Sequence, residues 1–272
     1  MFDCKLKKGL IYLFVLSLLY LGACNPYQKL LKSSDYELKF VKAKEYYESE
    51  QYDKAIPLLE ELMTVFRGSD KGEEVYYYFA KSNFGEEDYI LSGYHLKNFV
   101  RTYPNSKYAE ECLFLCALSY YLDSPRYTLD QSNTQLAIQE FQLFANQFPA
   151  SEKITECNDY IDKLRLKLET KSFEIAKLYY NMENYRAAIV AFENTLKDYP
   201  NNTFREESVY LAFKASYLLA KNSIDTKKLE RYKSSVEALY RYKDSYPSGK
   251  YIKEVESLGI RATNALSKLS SN

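Results

Sequence analysis

The residue types that most often do chemistry in proteins are few in this sequence and poorly spaced for it. Of the 272 residues only His95 is a histidine, which excludes a site built from paired histidines. Cys112 and Cys116 lie four residues apart, so a helix would place both thiols on one face. They could bind a metal, but no histidine lies near them in the sequence. We expect both to pack as small apolar side chains.

The acidic residues do not form a catalytic set either. Five pairs of adjacent glutamates occur: Glu60-Glu61, Glu73-Glu74, Glu86-Glu87, Glu110-Glu111 and Glu206-Glu207. They lie at predicted helix starts or on polar faces, where a carboxylate complements the helix dipole. The sequence contains no Gly-rich phosphate loop, nucleophile elbow or metal-spaced cluster. We therefore predict a protein that is not an enzyme and that needs no cofactor or metal.

One cysteine does stand in a setting with its own chemistry. Three lysines precede the apolar run 9–21, which has the length of a signal-peptide core and is short for a membrane span. The run ends in Leu21-Gly22-Ala23-Cys24, which resembles the lipobox of bacterial lipoproteins. That resemblance implies cleavage before Cys24, a diacylglyceryl group on its thiol and acylation of its new amine. A secreted protein with a chance cysteine is the alternative.

Residues 1–23 would then be a signal peptide and residues 24–34 a lipidated tether. Several acyl chains on one residue hold a protein at a membrane without any spanning helix. Residues 1–23 contain three lysines and one aspartate in a chain of zero net charge, so the mature chain has a net charge of −2. We expect membrane attachment through the lipid anchor and no binding of nucleic acid.

The elements that carry these residues are predicted most clearly in the stretch Ser172–Pro200. Apolar residues recur there at helical spacing in two runs, which are Phe173, Ala176, Tyr179 and Tyr180, and then Ala188, Phe192 and Leu196. The polar residues 181–184 between the runs favour a tight turn. Tyr199-Pro200 ends the second helix, because proline has no N–H for a further turn. The stretch predicts one helix–turn–helix unit.

Copies of this unit recur along the chain. The aromatic-Pro pair is found at Tyr103-Pro104, Phe148-Pro149, Tyr199-Pro200 and Tyr246-Pro247, and its steps are 45, 51 and 47 residues. Twelve residues before each proline lies a small side chain: Ser92, Ala137, Ala188 and Ser235. A fifth copy fits around Ala55, where Arg67-Gly68 replaces the proline stop.

The first helices of the units align as well. Their small reference residues are Ala43, Ala80, Ala117, Ala176 and Ala215. Ala117 and Ala215 precede their second-helix partners by twenty residues instead of twelve, so we predict eight extra residues in the inner turns of repeats three and five. The larger insertion is the stretch 122–132.

This code of small residues, aromatic residues and terminal prolines resembles the tetratricopeptide repeat (TPR), although that repeat is about 34 residues long. The fold class predicted is all-α: a TPR-like solenoid of about five helical hairpins over residues 35–248. Residues 249–272 are expected to form a C-terminal capping helix and tail. The alternative is a set of unrelated amphipathic helices.

A binding surface is expected on the first helices, which line a concave groove in the TPR family. Three residues before the reference position are Phe40, Tyr77, Phe114 and Phe173, and four after it are Tyr47, Phe84, Tyr121 and Tyr180. These positions share a helix face. One residue after the reference are Lys44, Lys81, Leu118 and Lys177, whereas repeat five has Ala212 and Leu219 in place of the rings. Two hypotheses remain open: an aromatic trough that binds a protein segment, or rings that pack one hairpin on the next.

The ordered combination of motifs resembles the BamD (ComL-type) family of lipoproteins. It comprises the lipobox, the five units after a short tether, YPNSKYAEE at 103–111, Asp130-Gln131 before a second helix, and FEIAKLYY…YRAAI…DYP. The resemblance implies a periplasm-facing scaffold, lipid-anchored in the outer membrane, within the β-barrel assembly machinery. It would dock on the periplasmic domains of the barrel-forming subunit (BamA-like) and receive unfolded outer-membrane protein segments.

The competing function is a TPR lipoprotein for glycan capture, as in SusD-like proteins, or for cell-envelope or division scaffolding. SusD-type proteins are much longer, and sugar platforms favour tryptophan, which is absent here. Asn25 follows Cys24 where an inner-membrane retention signal would have aspartate, which favours the outer membrane.

Overall fold

A computed structural model describes residues 26–271 of this protein as helices joined by turns, with no strand in that range. The first helices are α1 (Pro26–Leu31), α2 (Tyr36–Glu48), α3 (Tyr52–Val65), α4 (Asp70–Gly85), α5 (Tyr89–Thr102) and α6 (Ala109–Leu122). They are followed by α7 (Ser132–Gln147), α8 (Ile154–Asn181), α9 (Tyr185–Asp198), α10 (Arg205–Lys221), α11 (Asp225–Ser245) and α12 (Ile252–Ser270). The predicted signal peptide and Cys24 lie outside the described residues.

The chain divides into two compact units, the first ending at Ser119 and the second beginning at Tyr120. In the first unit α2 packs on α3, α3 on α4 and α4 on α5, and α2 also contacts α4. In the second unit each helix from α7 to α12 packs on the next, while α10 contacts both α8 and α12. Contacts between alternate helices are what stacked helical hairpins require. The predicted all-α fold of helical hairpins is confirmed.

The predicted small residues belong to the buried core. All ten are fully buried: Ala43, Ala55, Ala80, Ser92, Ala117, Ala137, Ala176, Ala188, Ala215 and Ser235. Small side chains let helix backbones approach closely, and interiors packed to crystal-like density leave no room for larger ones. Tyr179 differs from the prediction: it is 38% exposed and lies off the core face of α8.

The aromatic residue before each repeat proline directly follows the last residue of its helix. Tyr103, Phe148, Tyr199 and Tyr246 are C-cap residues with φ between −126° and −139° and ψ between 61° and 72°. This extended conformation is the one that a following proline favours. The first repeat ends instead at Phe66, and Gly68 turns the chain with a φ of 76°.

Three short inner turns each contain a residue with a positive φ, which the sequence does not predict. Glu50, Glu87 and Glu183 have φ values of 56°, 64° and 57°, in the left-handed region that usually favours glycine or asparagine. In two of these turns the next residue caps the following helix, since Asp88 accepts the N–H of Leu91 at 3.1 Å and Asn184 that of Ala187 at 3.4 Å. The cap therefore helps to hold the turn.

The predicted insertions are half right. In repeat three the extra residues do form a loop, between the end of α6 and the start of α7. In repeat five that prediction was wrong: only residues 222–224 separate the two helices, and the extra residues lengthen α11 to 21 residues. Residues 225–232 contain no glycine or proline and are rich in helix formers, so they continue the helix and bury Tyr232 against Tyr217.

Both ends of the described chain are packed. The expected tether differs from the structure, because α1 lies on the first hairpin: the Tyr27 hydroxyl donates to the Lys54 carbonyl at 3.0 Å. At the other end α12 buries Val255 and Ala262, while Ile260 is 64% exposed on its other side. Among the residues that the structure describes, no helix combines the length and apolar character needed to cross a membrane.

Candidate functional site

The two aromatic rows predicted on the first helices differ in exposure. The four rings three residues before the reference position are buried: Phe40, Tyr77, Phe114 and Phe173 are at most 7% exposed. Tyr77 stacks on Tyr108 with ring centroids 3.9 Å apart, and Phe173 stacks on Phe204 at 4.5 Å. Tyr77 and Phe173 therefore fill space between consecutive hairpins, as the packing hypothesis expects.

The second row keeps part of its surface open. Tyr47, Phe84, Tyr121 and Tyr180 are all half-buried. Each has at least one neighbouring ring. The ring centroid of Tyr47 lies 5.0 Å from that of Tyr78, Phe84 lies 5.7 Å from Tyr89, Tyr121 lies 4.4 Å from Tyr160, and Tyr180 lies 5.9 Å from Tyr185. Supported rings with an open side suit an apolar contact with another chain. This half-buried row is the part of the predicted trough available for binding, and that role stays a prediction.

The lysines beside these rows are ion-paired with the next hairpin. Lys44 pairs with Glu74 at 2.7 Å, Lys81 with Glu111 at 2.7 Å and Lys177 with Glu207 at 3.4 Å. Each pair spans 30 residues. The glutamate is the second member of a predicted acidic pair, so these pairs do more than complement a helix dipole. The sequence itself contains this regular spacing.

Each of these lysines also lies over a buried ring of its own helix. The Nζ atoms of Lys44, Lys81 and Lys177 are 5.5, 5.1 and 5.2 Å from the ring centroids of Phe40, Tyr77 and Phe173. A cation over a ring face is attracted by the ring quadrupole. The lysines therefore join a ring of one hairpin to a carboxylate of the next.

The group around Lys81 is the most closely connected. Its ammonium donates to Glu111 Oε1 at 2.7 Å and to the Tyr77 hydroxyl at 3.1 Å, and that hydroxyl donates to Glu111 Oε2 at 2.7 Å. Burial is the largest influence on the pKa of Lys81 and lowers it, but hydrogen bonds with Glu111, Tyr77 and Tyr47 together raise it above its usual value. Burial, followed by the bond to Glu111, raises the pKa of Tyr77 as well.

Repeat five replaces this arrangement. Ala212 is buried and Leu219 is half-buried. The lysine moves to the other side of the reference alanine, where Lys214 pairs with Glu254 at 2.8 Å and donates to the Tyr210 hydroxyl at 3.0 Å. Ala212 and Leu219 border a cleft of about 340 Å³ formed with α9 and α11, which is also lined by Arg186, Arg231 and Arg241.

The residues weighed for catalysis are embedded in packing. His95 is half-buried, with ring centroids 4.8 Å from Phe79 and 5.0 Å from Tyr94, and burial lowers its pKa below the usual value. Cys112 and Cys116 are fully buried, as expected, and burial raises the pKa of Cys112 to about 12. The part of the chain from residue 26 to 271 has no group of three metal-ligating side chains that could hold an ion.

Comparisons with known proteins match this chain to outer membrane lipoproteins and assembly factors. A family model described as YfiO, outer membrane lipoprotein, matches residues 33–231. The chain is 23% identical over 226 residues to the putative outer membrane protein assembly factor BamD of Aquifex aeolicus (strain VF5), covering 78% of this chain and 70% of that protein. It is 28% identical over 115 residues to the outer membrane protein assembly factor BamD of Rickettsia prowazekii (strain Madrid E), covering 42% of this chain and 46% of that protein.

Two solved structures are also similar. The TPR2AB domain of yeast Sti1, in its complex with pHSP90, has a TM-score of 0.40 and 13% identity, over 85% of this chain and 99% of that one. The TPR domain of P58(IPK) has a TM-score of 0.40 and 16% identity, over 89% of this chain and 62% of that one.

Proposed function

We propose a function from one premise: the chain belongs to the YfiO family of outer membrane lipoproteins. The family predicted from the motifs is thus confirmed. On this premise the protein is a non-catalytic scaffold of outer-membrane β-barrel assembly, lipid-anchored at Cys24 and facing the periplasm. The observation that carries the proposal is the match over 33–231, which includes the helices from α2 to α10 and the first turns of α11.

We place substrate contact on the half-buried rings of the first unit, Tyr47 and Phe84. Unfolded outer-membrane protein segments expose apolar side chains, and partly exposed aromatic rings on a rigid frame bury such groups at low entropic cost. Tyr47 is supported by Tyr52 and Tyr78, with centroids 5.7 and 5.0 Å away. The buried rings Phe40 and Tyr77 support the same face from below.

Substitutions distinguish the role of the half-buried rings from that of the buried rings. Tyr47→Ser together with Phe84→Ser should weaken crosslinking to an unfolded outer-membrane protein while leaving the melting temperature within a few degrees. Tyr77→Ser should lower the melting temperature itself, because Tyr77 is 7% exposed and hydrogen-bonded to Glu111. Tyr179→Ser is the control, since Tyr179 is 38% exposed and outside both rows. Unchanged crosslinking in the double variant would place the substrate elsewhere.

We place the contact with the barrel-forming subunit at the arginine-lined cleft of the second unit. Arg186 is exposed, Arg231 donates to Ser223 Oγ at 2.5 Å, and Arg241 pairs with Glu193 at 3.4 Å. Arginine forks are enriched in protein interfaces, where they bind carboxylates in two-pronged fashion. The complementary partner is an acidic patch on the periplasmic domains of that subunit.

Purification from gently solubilised membranes tests the proposal as a whole. A large β-barrel protein with periplasmic repeats should co-purify in near-stoichiometric amount, and depletion should reduce several unrelated outer-membrane barrels. Arg186→Glu should weaken the co-purification, whereas Lys253→Glu on the exposed side of α12 should not. A nutrient transporter or a division protein as the main companion would contradict the assembly function.

A further inference from the structure

The start of α1 is fixed at one end of the first hairpin. The Tyr27 hydroxyl donates to the Lys54 carbonyl at 3.0 Å, and the Tyr27 ring lies edge-on to that of Tyr46, with centroids 5.7 Å apart. Tyr46 belongs to the last turn of α2 and Lys54 to the first turn of α3. The start of α1 therefore lies beside the turn that joins these two helices, and we call residues 46–54 the inner-turn end of the hairpin.

A buried lysine holds the other end of α1. The ammonium of Lys39, which is 1% exposed, donates to the Leu31 carbonyl at 2.9 Å and pairs with Glu61 of α3 at 2.5 Å. Detaching α1 would break one of these hydrogen bonds at a buried charged group, which is costly. The helix α1 is thus a fixed part of the hairpin.

The position of α1 limits how far the lipid anchor can lie from the inner-turn end. Cys24, the residue proposed to carry the lipid, is two residues before Pro26 in the sequence. Two residues of extended chain span at most about 7 Å, whereas the ten residues 25–34 would span roughly 35 Å if α1 were undocked. With α1 docked, the acyl chains of Cys24 enter the membrane close to the inner-turn end.

The surface of the inner-turn end combines aromatic rings with carboxylates. Its half-buried rings are Tyr46, Tyr47 and Tyr52, and its exposed acidic residues are Glu48, Glu50 and Asp53. Tyrosine is favoured at membrane–water interfaces, because its ring is apolar and its hydroxyl is polar. Carboxylates are costly to place in hydrocarbon. This chemistry suits the headgroup layer of a membrane and excludes its interior.

We propose that the inner-turn end of the first hairpin contacts the headgroup layer of a lipid surface. The contact rests on the lipid anchor of the proposed function, and the docked helix α1 sets its orientation. The tyrosines of this end then lie at the level of the headgroups. Because the half-buried ring of Tyr47 belongs to the same end, a substrate segment bound there would lie next to the membrane surface.

Tryptophans introduced along α3 test the contact, because the chain contains no tryptophan of its own. Asp53, Glu60 and Thr64 are exposed on one face of α3. Along the axis, Glu60 is about 10 Å and Thr64 about 16 Å from Asp53. Each is replaced singly by tryptophan in the full, lipidated chain, which is reconstituted in phosphatidylethanolamine and phosphatidylcholine vesicles with a nitroxide quencher on some headgroups. The loss of fluorescence should be largest for Asp53→Trp, smaller for Glu60→Trp and smallest for Thr64→Trp.

The docking of α1 is tested by two alanine substitutions on its packed side. Tyr27→Ala with Leu30→Ala removes the bond to Lys54 and the apolar contact with the core of the hairpin. The tether then lengthens, so the differences among the three tryptophans should disappear. Gln28→Ala with Lys29→Ala changes the exposed side of α1 and is the matched control, which should keep the gradient. The melting temperature of each variant is measured alongside.

Equal quenching at the three positions, the reverse order, or an unchanged gradient after Tyr27→Ala with Leu30→Ala would each overturn the proposal. Stronger quenching of Asp53→Trp by bromine deep in the acyl chains than by the headgroup nitroxide would overturn it as well, because the end would lie inside the hydrocarbon. Mass spectrometry of the purified chain identifies a failure of the premise. A chain without lipid would contradict both the anchor of the proposed function and this contact, whereas a lipidated chain with no gradient contradicts the contact alone.

Discussion

Replacing Glu111 by glutamine tests whether the lysine–glutamate pairs join consecutive hairpins. The substitution keeps the side-chain shape and removes the negative charge. The Glu111 carboxylate accepts hydrogen bonds from the Lys81 ammonium and from the Tyr77 hydroxyl, each at 2.7 Å. The side chain of Lys81 is 20% exposed and that of Glu111 is 41% exposed. The remaining ammonium would therefore lie partly desolvated without its counter-charge.

The expected loss follows from these exposures. A hydrogen bond to a charged group contributes roughly 1.5–3 kcal/mol when well buried, and an exposed ion pair contributes roughly 0.2–1 kcal/mol. Glu111 lies between these limits and glutamine keeps one acceptor, so Glu111→Gln should reduce the free energy of unfolding by about 1 kcal/mol. For a protein of this size that is a fall in melting temperature of about 2–4 °C.

Glu110→Gln is the matched control. Glu110 is exposed in the same first turn of α6, so its loss removes the same helix-dipole interaction without breaking the contact with Lys81. Urea unfolding of both variants at pH 7 gives the comparison, and a double-mutant cycle with Lys81→Met gives the coupling energy. A difference between the two variants below about 0.3 kcal/mol, within the usual error of additivity, would refute the reasoning.

The sign of the pH dependence supplies a second check on the same group. Burial lowers the pKa of Lys81, but the hydrogen bonds that Lys81 donates to Glu111 and the tyrosines raise it more, so the folded value exceeds the ordinary value of 10.5. A raised lysine pKa stabilises the fold fully below the unfolded pKa, and this stabilisation is lost as the pH rises through the folded value. The difference between Glu111→Gln and the parent should therefore stay constant from pH 7 to 9.

Three further predictions follow from single buried groups. Tyr242→Phe should lower the free energy of unfolding by about 1–3 kcal/mol. The buried Tyr242 hydroxyl donates to Glu206 at 2.7 Å and accepts the backbone N–H of Tyr251 at 3.1 Å, and phenylalanine loses both hydrogen bonds. An equal effect of Tyr240→Phe, whose side chain is 56% exposed, would contradict this. Cys112, with its pKa raised by burial to about 12, should not react with a disulfide reagent at pH 8 until the protein is unfolded, and fast labelling of the native protein would show that the helix is open. Burial raises the pKa of Tyr76 to about 12 from 10.0, so the free energy of unfolding should fall as the pH rises above 10. The tyrosinate absorbance of the folded protein should then appear at higher pH than that of the unfolded chain. Ionisation of Tyr76 at the same pH in both states would contradict its burial.

The two aromatic rows predicted as a binding site differ in exposure, and their role in binding stays a prediction. Helical spacing placed the two aromatic rows on one face, and that face exists. Which row is open depends on the neighbouring hairpin, since Tyr108 and Phe204 cover the rings of Tyr77 and Phe173. The sequence around Tyr77 contains no sign of this cover, because Tyr108 belongs to the next repeat.

The ion pairs were missed for a different reason. The glutamate pairs are predicted at helix starts or on polar faces. Glu73, Glu110-Glu111 and Glu206-Glu207 do lie in first turns, so a local explanation is sufficient for these. Only the recurring distance of 30 residues from Lys44, Lys81 and Lys177 to the second glutamate indicates that the pairs connect repeats.

The sequence by itself determined the hairpins, their number and their ends. Small residues at a constant distance from an aromatic-Pro pair are local features, and proline geometry and helical periodicity act within one or two turns. Only the tertiary structure decided which faces are open, that residues 26–31 pack as a helix, and that the extra residues of repeat five extend α11. Those outcomes depend on contacts between residues far apart in the chain, and such contacts exist only once the helices have packed.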